Sequence, residues 1–365
     1  MSKHKYFKYR NKKLPLPIFF PDATRAVLRT VDSIDISNSK TPGVLVNTYH
    51  LHKELGKRVI KKFGGIRKFM NWDGAVISDS GGFQIMSLVK SKSGKGKITD
   101  EGVIFHSTRK RKSVFTPEKS IQFQMSLKTD MVVVLDDFTK PKSTHKEAKE
   151  TVERTIIWAK RSKDEFVRIC KKEKLDKNRR PYILGVVQGG DSLDLRRECA
   201  RRLAEIGFDG FGYGGWPILE TGEFNYEVAE CIADETPRNY LLFGLGIGKP
   251  EEIVALNKMG YDIFDCVLPT RDARHGRLYV YNAGSIDKIN VRKKHFYSFY
   301  VPGKQKYYSD TNPVSKACDC LLCKKYTRAY LAHLSRINEI TALRLSTIHN
   351  LRFYSLLMEK LRMDN

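Results

Sequence analysis

The sequence has no apolar run of about 18 residues, so no segment reads as a membrane span. No export signal is expected either. The basic start MSKHKYFKYRNKK leads into LPLPIFF, which is short, broken by prolines and followed by no small-residue cleavage site. A cytoplasmic location is expected from these absences. Proline and glycine are modest, at 13 and 26 of 365 residues, which excludes collagenous and low-complexity chains. Cysteine is scarce, and the seven present are an odd number, so no disulfide framework is expected in a reducing compartment. Three of the seven nevertheless fall within residues 318–323, the clustering that metal binding requires. Acidic side chains are the rarer charge, 41 against 66 Lys and Arg, leaving a net +25. Such self-repulsion is relieved by a polyanion, and nucleic acid is the leading partner. No Ser-His-Asp order, Walker loop or HExxH motif occurs.

What is present is an alternation. Short apolar runs occupy 17–24, 43–50, 75–82, 131–137, 182–190, 209–216, 241–248 and 263–270. Several are apolar throughout, as parallel strands buried on both faces are. Helical patterns lie between them, among them 144–175 (one or two long helices), 192–206 and 250–259. Eight β-then-α repeats predict an α/β fold, a (β/α)8 TIM barrel, with a doubly wound open sheet as the alternative. Residues 90–126 interrupt the pattern with a basic, glycine-containing stretch, read as a hairpin insertion, and then a helix from Thr116. Residues 283–365 carry the cysteine cluster and two amphipathic helices, about 324–340 and 345–361. The expected division is a catalytic barrel over 1–282, with its insertion at about 90–115, and a zinc-binding subdomain with a closing C-terminal helix over 283–365.

Barrel chemistry sits where strands end. Those ends carry Asn47 and His50, Asp79 before Gly81 and Gly82, Asp136 and Asp137, Gln188 before Gly189 and Gly190, Gly214 and Gly215, Gly246 and Gly248, and Asp265. Taken singly, each Asp reads as a helix cap and each Gly as a turn residue. Taken together, carboxylates at a barrel mouth without a cofactor motif suit glycosyl transfer. One carboxylate attacks the anomeric carbon and another handles the proton. In a basic protein, the sugar is then that of a nucleoside within a nucleic acid. Cys266 beside Asp265 is read as a small packing residue rather than a nucleophile. Cys318, Cys320 and Cys323 need one more ligand for a closed, structural tetrahedral zinc site. Spacing alone leaves His333 and His349 both open.

The motifs NTYHL (47–51), SDSGGFQIMSL (78–88), VVQGG (186–190), GFDGFGYGG (207–215), GLGIGKPEEI (244–253) and FDCVLPTRDARHGRLY (264–279), with C-x-C-x2-C-x25-H, closely resemble the tRNA-guanine transglycosylase family. The bacterial queuosine-pathway type is the nearest, and the match runs from about residue 15 to the end. The resemblance implies a zinc-containing barrel that exchanges guanine at the wobble position of GUN-anticodon tRNAs (those for aspartate, asparagine, histidine and tyrosine) for a 7-deazaguanine base. It implies Asp265 as the nucleophile on C1′, through a covalent enzyme–tRNA intermediate, and Asp79 as general acid/base. Asp136, Gln188 and Gly215 would recognise the base edge, Phe83 and Leu245 would sandwich the ring, and Arg271 and Arg274 would meet the anticodon loop. Cys318, Cys320, Cys323 and His349 would hold one structural zinc per chain. Family members are commonly homodimers, and the zinc region with helix 345–361 is the candidate apolar surface. Arg109–Lys112 and Arg292–Lys294 are further candidates for RNA contact.

One loop departs from the family. Trp216-Pro217-Ile218-Leu219-Glu220 stands where Leu-Ala-Val-Gly-Glu is usual. Ile218 occupies the position where enzymes accepting the bulkier queuine carry Gly, which favours the small aminomethyl base preQ1. Glu220, at its usual offset, is a candidate partner for the ammonium of that base. The competing readings are a queuine-specific enzyme, a non-catalytic tRNA-binding subunit of the same fold (which would lack the catalytic Asp pair) and a relative acting on DNA.

Overall fold

A computed structural model describes residues 6–90, 96–106 and 112–363. Eight short strands form one sheet: β1 (Ile18–Pro21), β2 (Gly43–Val46), β3 (Ala75–Ser78), β4 (Met131–Val133), β5 (Tyr182–Val187), β6 (Gly210–Tyr213), β7 (Leu241–Gly244) and β8 (Ile263–Cys266). Their order is β1-β8-β7-β6-β5-β4-β3-β2, with every pair parallel. A parallel bridge between Asp22 and Leu45 closes the seam between β1 and β2. There the Ala23 N–H donates to the Leu45 carbonyl at 2.7 Å and the Asn47 N–H to the Thr24 carbonyl at 3.2 Å. This is the expected (β/α)8 barrel. Each apolar run of the sequence holds one strand.

Alternation builds the two cores. Inward residues, including Phe20, Leu45, Ile77, Val133, Val186, Phe243 and Ile263, fill the barrel interior. Outward residues such as Val132, Val187, Phe211, Leu242 and Phe264 pack against the surrounding helices. Residues 144–175 form one long helix, His145–Lys172. It is opened by a capping box in which the Thr144 hydroxyl accepts the Glu147 N–H and the Glu147 carboxylate accepts the Thr144 N–H. Helices Leu193–Ile206 and Pro250–Lys258 match their expected positions.

After β8 the chain makes only a seven-residue helix, Leu268–Arg274. The C-terminal helix Ile340–Met363 covers the outside of the barrel there instead. The Tyr354 ring lies 4.5 Å from that of Phe19, its hydroxyl donates to the Gly248 carbonyl at 2.6 Å, and Arg362 donates to the Pro17 carbonyl. Residues 345–361 are thus mostly buried within the chain and are not the apolar surface expected of them.

Other differences from expectation are local. The insertion is a three-stranded antiparallel sheet (Gly96–Thr99, Gly102–His106, Lys112–Phe115) rather than a hairpin, followed by helix Pro117–Leu127 with Thr116 as its N-cap. Two more antiparallel pairs, Tyr6–Tyr9 with Lys12–Pro15 and Leu278–Tyr281 with Tyr297–Tyr300, went unread. Each is four residues long, and lysine or tyrosine replaces the aliphatic residues that signal a strand. The last long helix begins at Ile340 rather than near 345. No described helix is long and apolar enough to cross a membrane.

Candidate active site and metal centre

Residue i+2 of a strand faces the same way as residue i. Two positions beyond the topmost inward residues stand Asp22 (after Phe20), Asn47 (after Leu45), Asp79 (after Ile77), Gln188 (after Val186), Leu245 (after Phe243) and Asp265 (after Ile263). On β4 the strand stops at Val133, and Asp136 enters from the loop. The carboxyl end of the barrel is therefore a polar ring over an apolar floor. It opens into a cavity of about 840 Å³ whose wall includes Asp22, Asp79, Phe83, Asp136, Gly215, Leu245 and Asp265. That volume lies in the range of ligand sites.

Asp79 is held from three sides. Asn47 Nδ2 donates to its Oδ2 at 2.6 Å, and the N–H groups of Thr48 and Gly81 donate to Oδ1 at 2.8 and 3.1 Å. Gly81 has φ +74°, and a Cβ there would fall 2.8 Å from the Tyr49 nitrogen, so the turn accepts only glycine. Burial pushes the Asp79 carboxyl up to about 7, against the pull of these hydrogen bonds. Asp265 Oδ1 accepts the Gly246 N–H at 2.8 Å. Burial raises this carboxyl to about 7 as well; the Gly246 and Asp22 hydrogen bonds oppose the rise and the Asp79 charge adds to it. Asp22 is pushed well above the carboxylate range by burial first, then by the charge of Asp265 and the hydrogen bond between them. The mouth thus holds three buried carboxyls, each raised by burial, and such a set can supply both an ionised and a protonated carboxyl near neutral pH.

The opposite wall is built to keep a shape. Asp136 Oδ2 accepts from Gln188 Nε2 at 2.6 Å, and Gln188 Oε1 accepts the Thr139 N–H at 3.2 Å. Gln188 is fully buried behind Asp136 and is not part of the cavity wall. At Gly214 a Cβ would lie 2.6 Å from the Val187 carbonyl oxygen, and Gly215 has φ +83°. Arg196, buried on helix Leu193–Ile206, ties this region together. Its guanidinium donates to the carbonyls of Val187, Gly190 and Gly214 and lies 5.2 Å from the Tyr213 ring centroid. A buried guanidinium needs such acceptors.

Phe83, on helix Gly82–Lys90, is half-exposed into the cavity with its ring edge-on to Phe138 at 5.1 Å. Leu245 sits over Gly212, where a Cβ would come within 2.6 Å of its side chain. Arg271 is exposed on the cavity rim. Arg274 folds back, its Nε donating to the Thr270 carbonyl at 3.0 Å, and does not reach the cavity wall. Burial holds the Cys266 thiol far above its usual range, in keeping with a packing role. Trp216, Pro217 and Ile218 all line the cavity. Glu220 does not; it faces solvent and pairs with Lys142 at 3.0 Å. Arg292–Lys294 is exposed, and residues 109–111 lie outside the described residues.

Motif reading missed two residues of this mouth. Asp22 was legible as the polar residue two beyond Phe20 in PIFFPDAT. Arg196 was legible as an arginine on the apolar face shared by Cys199, Ala200 and Leu203.

The ligating atoms of Cys318, Cys320, Cys323 and His349 lie within 4.8 Å of one another, the one such group among the described residues. His349 Nδ1 is 3.6 Å from Cys320 Sγ and 3.3 Å from Cys323 Sγ, and its Nε2 is 2.7 Å from the Tyr279 carbonyl oxygen. A carbonyl only accepts, so the ring hydrogen sits on Nε2 and the Nδ1 lone pair faces the thiols, as a ligand requires. His333 is exposed on helix Arg328–Arg336 and takes no part. The donor set fits a metal ion. The neighbouring Asn350 side chain accepts the Tyr279 N–H and donates to the carbonyls of Pro269 and Arg277, tying the metal-binding helix to the segment that follows Asp265.

Buried carboxyls gathered at the carboxyl end of a (β/α)8 barrel, beside a Cys3His centre, define an enzyme of the barrel class. The chain belongs to the queuine tRNA-ribosyltransferase family, whose model matches residues 4–364. It is similar to the queuine tRNA-ribosyltransferase of Shewanella sp. (strain W3-18-1), with 39% identity over 347 residues covering 95% of this chain and 86% of that protein. It is also similar to that of Caldanaerobacter subterraneus subsp. tengcongensis, with 40% identity over 348 residues covering 95% and 85%. Its activity class is therefore tRNA-guanine transglycosylase, a pentosyltransferase.

Proposed function

We propose that this enzyme exchanges guanine at the wobble position of GUN-anticodon tRNAs for preQ1 by double displacement, in queuosine biosynthesis. The observation that carries the reading is the placement of Asp79 and Asp265 on one cavity, each with its carboxyl near 7. Ionised Asp265 attacks C1′. The C1′–N9 bond breaks, its electron pair leaves with guanine, and Asp79 supplies the proton. The incoming base then returns a proton to Asp79 and takes C1′ from Asp265. Two inversions retain the configuration. Asp136, oriented by Gln188, accepts from the guanine-like edge, with the Gly215 backbone close beside it. Phe83 and Leu245 cover the two faces of the ring. Arg271, exposed on the cavity rim, meets the anticodon loop, whereas the folded-back geometry of Arg274 gives that role no support. Incorporation of labelled guanine or preQ1 into tRNA tests the reaction, and tRNA binding without incorporation would favour the non-catalytic subunit.

Ile218 on the cavity wall supports preQ1 over queuine, because a branched side chain crowds a cyclopentene-diol. Glu220, paired outside the cavity, gives that preference no support. The wild type should use preQ1 about tenfold better than queuine, and Ile218→Gly should narrow the gap, both read as kcat/KM. Faster use of queuine by the wild type would defeat the preference.

The net charge of +25 supports a strongly electrostatic tRNA complex. Affinity should fall about a hundredfold or more between roughly 50 and 200 mM salt. A flat salt dependence in a binding titration would remove the charge argument.

Three thiols and one imidazole with no open position suit zinc in a structural role. Exposed Leu321, Tyr330, Ile337 and Ile340, on the elements around the metal centre, support a homodimer surface. Seven unpaired cysteines and a tRNA substrate support a cytoplasmic location.

A further inference from the structure

We infer that Asp22 is a positioning and specificity residue of the exchange: its carboxyl holds Asp265 through a shared hydrogen and receives the 2′-hydroxyl of the ribose under attack. The inference rests on the reading of Asp265 as the nucleophile on C1′.

The placement follows from the sheet. β1 lies between β8 and β2, with Pro21 paired to Cys266 and Asp22 bridged to Leu45. Asp22 keeps the inward face of Phe20 and forms part of the cavity wall beside Asp265. Its Oδ1 is buried and receives no hydrogen from any described protein group, and the one charged side chain acting on it among the described residues is the acidic Asp265. The titratable groups facing it are Asp265 and Cys266 from β8 and Asp79 from β3, with Arg271 beyond Cys266; Asn47 comes from β2. Two carboxyls hydrogen-bonded in such a place share one proton, since both cannot ionise at short range. Asp22 is the partner that keeps it, because the Gly246 N–H stabilises an anion on Asp265 and no described group donates to Asp22 Oδ1. Its O–H therefore donates to Asp265, leaving Asp265 the anion that attack requires.

A neutral carboxyl that donates with one oxygen has a carbonyl oxygen left, and a buried acceptor needs a donor. The protein supplies none here. A ribose whose C1′ meets Asp265 brings two oxygens next to C1′. The ring oxygen has no hydrogen to give, whereas the 2′-hydroxyl does. Asp22 thereby distinguishes ribose from deoxyribose at the nucleotide being exchanged, and stabilises the nucleophile with the same group.

The test uses the full-length enzyme and two RNA hairpins that differ only by a 2′-deoxy sugar at the exchanged guanosine. Wild type should favour the ribose substrate by about ten- to a hundredfold in kcat/KM, the range expected when one buried acceptor is left without its donor. Asp22→Val should lose that preference, to a ratio near one, and its acid limb should move to higher pH, because Asp265 has lost a donor that lowered its pKa. Asp22→Asn is isosteric with the neutral carboxyl and can donate and accept in the same places. It should retain the preference and the acid limb, and thermal melting should find both variants folded. An unchanged ribose preference in Asp22→Val, or an Asp22→Asn variant as impaired as Asp22→Val, would overturn the role. The nucleophile reading is checked separately: an enzyme–RNA adduct that resists denaturant and still forms in Asp265→Asn would sink that reading, whereas a normal Asp265-dependent adduct with no ribose preference would sink only the role of Asp22.

Discussion

Asp265→Asn should abolish base exchange, lowering the rate by about a thousandfold or more, while tRNA binding stays near wild type. The amide keeps the shape of the side chain and can still accept the Gly246 N–H, so the site should remain assembled. What would be lost is the electron pair that attacks C1′ in the proposed mechanism. The basic surface responsible for RNA affinity is untouched. A denaturant-resistant adduct with tRNA should form with wild type and be missing from the variant. Turnover at even a tenth of the wild-type rate would mean that another group attacks.

The same substitution should stabilise the protein at high pH. The Asp265 carboxyl is raised from an ordinary value near 3.8 to about 7, chiefly by burial. The folded state therefore binds its proton more tightly than the unfolded chain. That contribution to stability is complete below about pH 3.8 and is lost as pH rises through about 7, where an ionised buried carboxylate costs on the order of a few kcal/mol. An amide never ionises. Asp265→Asn should melt above wild type at pH 8, and the gap should close as pH falls; a gap that is constant with pH would contradict the burial argument. Activity and stability oppose each other at this residue, as a site that holds a charge in an apolar barrel requires.

The barrel was legible because its signal is local. An apolar run such as MVVVLDD is a strand and its polar end in one stretch, and eight of them in alternation with helices leave few folds open. Strand ends also led to Asp79, Asp136 and Asp265, since each lies within three residues of the last residue of its strand. Asp22 escaped because Pro21 ends its strand and the residue reads as part of a turn; only the alternation from Phe20 shows it pointing inward. Arg196 escaped for another reason. Its three acceptors come from the ends of β5 and β6, and no spacing within its own helix announces them. The antiparallel pairs at Tyr6–Tyr9 and Leu278–Tyr281 lie outside the repeating unit and carry too few aliphatic residues for a strand signal. Glu220 keeps its offset from Gly215, yet faces away from the cavity toward Lys142, so retained spacing did not carry retained direction. His333 and His349 were alike in sequence, and burial separated them. One is exposed and the other is enclosed beside Tyr279.

That enclosure leads to the second large effect. His349→Ala or Cys320→Ser should remove the metal and lower the melting temperature by about 10 °C or more, because ligation energy is folding energy in such a centre. The loss should extend beyond the cysteine loop. His349 and Asn350 are consecutive on helix Ile340–Met363, and Asn350 holds the carbonyls of Pro269 and Arg277, at either end of the segment after Asp265. Arg352, one turn from His349, is buried and pairs with Asp319 between two of the cysteines and with Glu359 on its own helix. A helix released from the metal would leave that guanidinium without one of its carboxylates and would uncover the flank of β1 around Phe19. Exchange activity should therefore fall with the metal even though no ligand reaches the cavity. His333→Ala, at an exposed position, should leave metal content and melting unchanged. Metal analysis of the purified variants, paired with melting curves, decides the matter. One zinc per chain that survives His349→Ala but not His333→Ala would reverse the ligand assignment. Full activity in a metal-free His349→Ala would break the link between the helix of His349 and the segment that follows Asp265.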